Sequence, residues 1–221
     1  RDVEVNIIAK ALENDFEVII LSSAFMTEHS FALKGTKKTN WNCISKTLFD
    51  KNLVLKLLSK FSKFKSKGKN LDYFYCNNSL SKKIYNYDKL QLQIIESEIR
   101  EAYLVLCCVQ LTTQFLPQVV NFCKKSNIPC LVRTTGTIRD FEIENFKFLN
   151  KVTTFLHHSK KNAQNLNKQI NLPFELIDQC ANNEEKLLNI PIIVNKTLRF
   201  GYLGRLSEEK GILPLTKFFS N

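Results

Sequence analysis

The chain has 221 residues, 44% hydrophobic and 24% charged, with a formal net charge of +11. These proportions suit an ordinary globular protein and exclude a collagen-like, mucin-like or wholly disordered chain. The longest apolar run, Ala102–Val109, falls well short of the ~18 residues that would cross a bilayer and suits a buried strand.

In chain order, Arg1–Asn6 reads as a helix already under way. Val5–Glu13 is helical, with Val5, Ile8, Ala9 and Leu12 on one side. Phe16–Leu21 is a short β-branched strand and Ser22–Asn42 a polar loop. Leu48–Lys67 reads as one helix, Leu71–Cys76 as a strand rich in aromatics, and Lys82–Arg100 as a long helix. Tyr103–Val109 is a fully apolar strand, and Gln114–Ser126 a helix. A turn at Asn127–Pro129 introduces the strand Ile128–Arg133. The helix Phe141–Asn150, the strand Val152–His157 and the helix Lys160–Ile170 follow. Phe174–Asp178 is a strand, Asn183–Asn189 a short helix, Leu198–Leu203 the last strand, and Glu208–Phe219 a starting helix.

Continuous apolar strands alternating with helices predict an α/β fold, a doubly wound parallel sheet covered on both faces. Pro191–Thr197 is a connector, which divides the chain into domains 1–195 and 196–221. In such folds ligands bind beyond the carboxyl ends of the strands. The loops to inspect are Ser22–Thr27, Gln110–Gln114, Thr134–Asp140, Ser159, Gln179–Asn182 and Gly204–Gly211.

The charge is concentrated. Lys34–Lys69 holds eleven lysines and one acid, Asp50, and no arginine. Within it Leu48–Phe64 carries apolar residues at helical spacing with lysines between them. Three readings fit: a solvated surface helix, a contact with an anionic membrane surface, or a contact with nucleic acid. The lack of arginine disfavours nucleic acid as a partner, since arginine supplies the bidentate fork that reads bases.

The seven cysteines, an odd number, form no CxxC pair, so neither a metal site nor a disulfide framework is expected. They read as reduced, buried thiols of a cytoplasmic protein. His157 and His158 end a strand, so one should face inward and the other outward; a structural role is expected of them.

The most informative segment is Phe200–Gly211. An apolar strand runs into Gly204 and Arg205, and Lys210 and Gly211 follow five residues later. Gly204 lets the backbone approach a ligand closely. Arg205 can fork onto two phosphate oxygens. Lys210 adds a point charge, and the following helix adds its positive end. An ordinary strand–turn–helix with surface Arg and Lys is the other reading. There is no GxxxxGK[ST] and no GxGxxG, which weakens the NTPase and dehydrogenase alternatives.

With Gly204, Arg205, Leu206, Lys210 and Gly211 in place, the segment resembles the GRLxxxKG signature of retaining glycosyltransferases of the GT-B fold, family four. Val3–Ser22 is similar to the first helix and second strand of that family's N-terminal domain. Phe155–Leu166 resembles the strand and helix before its interdomain linker, with Ser159 at a serine position. Leu176–Ala181 departs from it, since the usual Asn-Gly pair is absent.

The resemblance implies two Rossmann-like domains, a nucleotide-sugar donor held by the second, and a glycan or lipid-linked acceptor on the first. Arg205 and Lys210, with Gly204, would bind the donor diphosphate and stabilise the leaving group, with no cofactor and no metal. Gly136, Thr135, Ser159 and Glu4 would line the cleft, with Arg133 or Arg139 near an acidic group. The glycine loop after the first strand would precede Arg1, and the paired glutamates would follow Asn221. The chain is therefore expected to be inactive alone, and its catalytic residues are not identified. The enzyme would be a hexosyltransferase of surface polysaccharide synthesis, peripheral on the inner membrane face. The alternatives are a Rossmann-like module that binds a nucleotide or nucleic acid, and a GT-B nucleotide-sugar epimerase.

Overall fold

Helix α1, Asp2–Leu12, places Asp2 and Glu4 in its first turn and Lys10 in its last, complementing the helix dipole at both ends. These and all following coordinates come from a computed structural model, which describes residues 2–136, 138, 143–179, 181, 184–191 and 211–219. Asn6, wholly buried in α1, donates from its amide to the carbonyls of Ala32 and Lys34, both at 3.0 Å. At the far end Glu13 accepts from the backbone N–H groups of Lys37 and Lys38 and from the Thr39 hydroxyl. The Lys38 N–H first among these holds its carboxylate below the usual range. Two polar side chains thus pin the basic loop along α1.

That loop conceals a strand. β1, Ile19–Ser22, pairs in parallel with β2, Asn40–Cys43, in the register Ile19↔Asn40 through Ser22↔Cys43. The expected loop Ser22–Asn42 therefore ends in a ladder. Asn40-Trp41-Asn42-Cys43 lacks the β-branched run that marks a strand, and only its partner makes it one.

The basic helix is two helices, α2 (Ile44–Lys51) and α3 (Leu53–Ser66), and not the single Leu48–Lys67 span expected. Asn52 is extended and its side-chain oxygen accepts from Leu55 N at 3.0 Å, so it caps a new helix. Lys67 is left-handed and Gly68 N bonds Lys63 O, which ends α3 in the usual C-terminal manner.

Residues 72–76, expected as a strand, form a 3-10 helix, Asp72–Cys76. Tertiary contacts override the aromatic pattern. Ser59 of α3 donates its hydroxyl to the Asp72 carbonyl, Lys63 pairs with the Asp72 carboxylate at 2.7 Å, and the Tyr73 hydroxyl donates to Met26 O at 2.9 Å. The expected helix Lys82–Arg100 is likewise divided, into α4 (Ser79–Tyr85) and α5 (Tyr87–Arg100). Asn86, at φ 46°, breaks it; asparagine tolerates the left-handed region better than most residues.

The second sheet follows the sequence pattern closely. β3 (Val105–Val109), β4 (Cys130–Thr134), β5 (Thr154–His157) and β6 (Phe174–Leu176) lie side by side in that order, all parallel. α6 (Leu116–Lys125) joins β3 to β4, a 3-10 segment (Ile143–Lys151) precedes β5, and α7 (Lys160–Asn167) joins β5 to β6. Val132, Phe155, Val120, Cys123 and Leu166 are completely buried. They belong to a core that also gathers Leu55, Tyr87 and Ile44 from the first half of the chain. The chain is thus α/β with parallel strands, in two sheets where one had been expected. Among the described residues β1 pairs only with β2 and β3 only with β4, and all five residues of β3 are half-buried.

The chain divides into two compact units, Arg1–Asn182 and Asn183–Asn221. In the second, α8 spans Glu184–Leu188 and α9 spans Ile212–Phe219. Of the expected helix Glu208–Phe219, α9 begins at Ile212, just after Gly211 at φ +73°, and residues 208–210 lie outside the described residues. The expected strand Leu198–Leu203 and the boundary at 195/196 lie outside the described residues. Among the described residues no helix is long and apolar enough to cross a membrane.

Candidate functional site

The carboxyl ends of β3 to β6 bring together most of the residues singled out in the first unit. Arg133, in β4, is only 2% exposed. Its Nε donates to Glu4 Oε1 of α1 at 2.6 Å, and its Nη1 donates to the Ile177 carbonyl just past β6 at 2.7 Å. Arg133 thus lies against an acidic group, Glu4, and is a buried latch across three elements. Glu4 is engaged by that latch. Arg139 lies outside the described residues.

The chain then turns at Thr134, Thr135 and Gly136. Thr135 N donates to Val109 O at 3.1 Å, which carries the ladder one residue past β4. Gly136 has φ +82°, and a Cβ there would stand 3.5 Å from Gln110 Nε2. Space would accommodate a side chain; the left-handed backbone is what favours glycine. Gly136 O accepts from Asn162 Nδ2 at 2.7 Å, and Asn162 Oδ1 accepts from Ile138 N at 3.1 Å. Asn162, buried in the first turn of α7, thus shapes the loop. Sequence reasoning did not single it out, although its place three residues after Ser159 is a signal. Ser159 caps α7, accepting from Asn162 N at 3.2 Å.

His157 is buried and His158 half-buried, as strand alternation requires. His157 Nδ1 lies 2.8 Å from Thr134 Oγ1, and its ring stacks on Phe155 with centroids 5.8 Å apart. Desolvation, aided by His158 and Arg133, lowers its pKa from 6.5 to about 4. It is therefore a neutral, structural imidazole near pH 7. Two of the four buried side-chain polar atoms without a hydrogen-bond partner among the described residues, Thr135 Oγ1 and His157 Nε2, lie here.

A stability prediction follows from His157. In the unfolded chain it takes up a proton near pH 6.5, and in the native protein only near pH 4. Stability present above pH 6.5 is therefore lost as pH falls through this window, by about 3 kcal/mol in all. Urea midpoints measured from pH 7.5 to 4 should fall more steeply for the parent than for His157→Gln. Parallel slopes would contradict this assignment.

A concavity of about 270 Å³ lies beyond β1. Ser23, Phe25, Ser45, Ser62, Tyr75 and Asn78 contribute to its lining, so it is polar and uncharged. Three buried thiols are held protonated. Burial pushes Cys76 up to about 11. Cys123 and Cys130 are raised first by hydrogen bonds, to Cys130 and Cys107 respectively, and also by burial. Among the described residues no group of three or more His, Cys, Asp and Glu could hold a metal ion.

Gly204, Arg205 and Lys210 lie outside the described residues. Of that signature Gly211 is described, and its positive φ directly precedes α9. No protein-family model, curated protein or solved structure matches the chain.

Proposed function

We propose that this chain belongs to a retaining glycosyltransferase of the GT-B type, which moves a hexosyl group from a nucleotide-sugar donor to a glycan or lipid-linked acceptor. The observation that carries the reading is the Gly204–Gly211 segment, with arginine, lysine and glycine at the spacing of a diphosphate clamp. Sugar transfer expels a nucleoside diphosphate. Arg205 would fork onto its phosphate oxygens and Lys210 would add a second positive charge as the bond to the sugar breaks. That stabilisation needs neither a cofactor nor a metal.

The first unit suits the acceptor side. Its carboxyl-edge rim holds a glycine turn and the Thr135 hydroxyl, which has no hydrogen-bond partner among the described residues. Such groups bind and orient hydroxyl-rich ligands. Ser159 and Glu4 would border the cleft, the first as a helix cap and the second through Arg133.

Calorimetric titration of the full-length protein with uridine, guanosine and adenosine diphosphates tests the clamp. One diphosphate should bind at least tenfold more tightly than its parent nucleoside. Equal affinity for both would remove the diphosphate site. Tight, steeply salt-dependent binding of DNA or RNA, with no diphosphate bound, would favour a nucleic-acid module instead.

A further inference from the structure

Helix α3 turns an apolar stripe toward solvent. Its buried positions are Leu55 and Ser59. Leu53, Leu57, Phe61 and Phe64 are 73%, 61%, 56% and 85% exposed. At roughly 100° per residue these four positions fall within one arc about 80° wide. By the same arithmetic Lys56, Lys60, Lys63 and the cap residue Lys67 form the adjoining row. Lys60, Lys63 and Lys67, with Phe64, Gly68 and Asp72, line a shallow depression beside it.

Not all of the basic segment's charge is available to a distant partner. Lys46 pairs with Asp50 at 3.1 Å, Lys63 pairs with Asp72 at 2.7 Å, and Lys34 and Lys56 sit over the rings of Phe31 and Phe49. Lysines alone therefore describe this face incompletely. The apolar arc and its cationic border are the feature to be matched.

We propose that α3 is an interfacial membrane helix. Its Leu53, Leu57, Phe61 and Phe64 side chains enter the acyl boundary of an anionic bilayer, while Lys60 and Lys67 of the adjoining row meet the headgroup phosphates. An amphipathic helix lying in the interface needs this combination of an apolar arc and a basic flank. The charge pattern selects the occupant. A second copy would set one lysine row against another, and nucleic acid would satisfy the lysines but leave the leucines uncovered. The inference does not depend on the sugar-transfer reading and survives its failure.

Vesicle sedimentation of the full chain tests it. The parent should pellet with vesicles of phosphatidylcholine and phosphatidylglycerol, and at least tenfold less with phosphatidylcholine alone. Leu57→Ser/Phe61→Ser/Phe64→Ser should reduce the partition at least tenfold. Its circular dichroism and melting temperature should remain those of the parent, because the three sites are exposed. The parent has one tryptophan, Trp41, whose emission is subtracted from that of a Phe61→Trp variant. The difference should shift to the blue on anionic vesicles and stay unshifted with soluble polyphosphate. Unchanged partition of the triple variant, or no blue shift from the Phe61→Trp variant on vesicles, would overturn insertion in favour of charge adsorption. No vesicle binding, with dimers that the triple variant abolishes, would assign the stripe to a second copy.

Discussion

Replacing Arg133 with methionine is expected to destabilise the first unit by about 3 kcal/mol. The side chain is buried and carries two bonds at once, to Glu4 and to the Ile177 carbonyl. Methionine fills much of its volume but leaves the Glu4 carboxylate and a carbonyl without their donor. The cost of breaking a buried pair comes mainly from such a stranded charge. Glu4 keeps 18% side-chain exposure, so the lower end of the range for such pairs applies. For a chain of this size the loss corresponds to a fall in melting temperature of roughly 6 to 12 °C. Adding Glu4→Gln to Arg133→Met should recover part of it, because the stranded charge is then gone. Arg133→Lys should not recover it, since one ammonium cannot span both acceptors. Hydrogen exchange offers a second readout: amides of α1 should exchange faster in Arg133→Met than in the parent. A melting temperature within a degree of the parent would show that the latch contributes nothing net.

Arg205→Ala and Lys210→Ala are expected to have the largest effects on chemistry. Loss of one preorganised donor to a developing negative charge costs about 10²- to 10³-fold in kcat. Each variant of the full-length protein should fall by about that factor in nucleoside diphosphate release. The two losses should not simply add, because both groups act on one leaving group. Arg205→Lys should recover less than half of the loss on a logarithmic scale, since lysine keeps the charge but not the fork. Neither substitution should alter the melting of the first unit. Turnover unchanged in both variants would take the clamp out of the mechanism.

The parts of this fold that can be read in the sequence are those with one dominant cause. β3 is a continuous apolar run, and β4 and β5 carry the short apolar stretches Cys130–Val132 and Phe155–Leu156, which mark strands without knowledge of a partner. The loops that hold Gly136 and Ser159 were expected after β4 and β5, although the left-handed turn and the helix cap found there were not read from the sequence. The misread parts depend on distant contacts or single residues. β2 is a strand only because β1 lies beside it. Asp72–Cys76 is aromatic enough for a strand, yet Ser59, Lys63 and Met26 hold it as a 3-10 helix. Asn52 and Asn86 each divide a helix whose apolar periodicity continues across the break.

The site shows the same division. Glu4, Thr135, Gly136 and Ser159 were expected near one cleft, and the carboxyl rim of β4 and β5 carries three of them while Arg133 holds the fourth. The latch itself joins residues 129 positions apart, and no local pattern announces such a pair. The outward face of α3 was likewise hidden. Periodicity shows that a helix is amphipathic, but not which of its faces the rest of the chain leaves uncovered.

The most direct measurement is release of free nucleoside diphosphate by the full-length protein across a panel of nucleotide sugars, with and without a crude membrane glycolipid acceptor. The proposed function requires release from one donor, accelerated by acceptor, with the sugar recovered on the glycolipid and its anomeric configuration retained. Release from no donor under either condition would contradict it. Turnover of a donor to an isomeric nucleotide sugar, with no need of acceptor, would reassign the site to epimerisation.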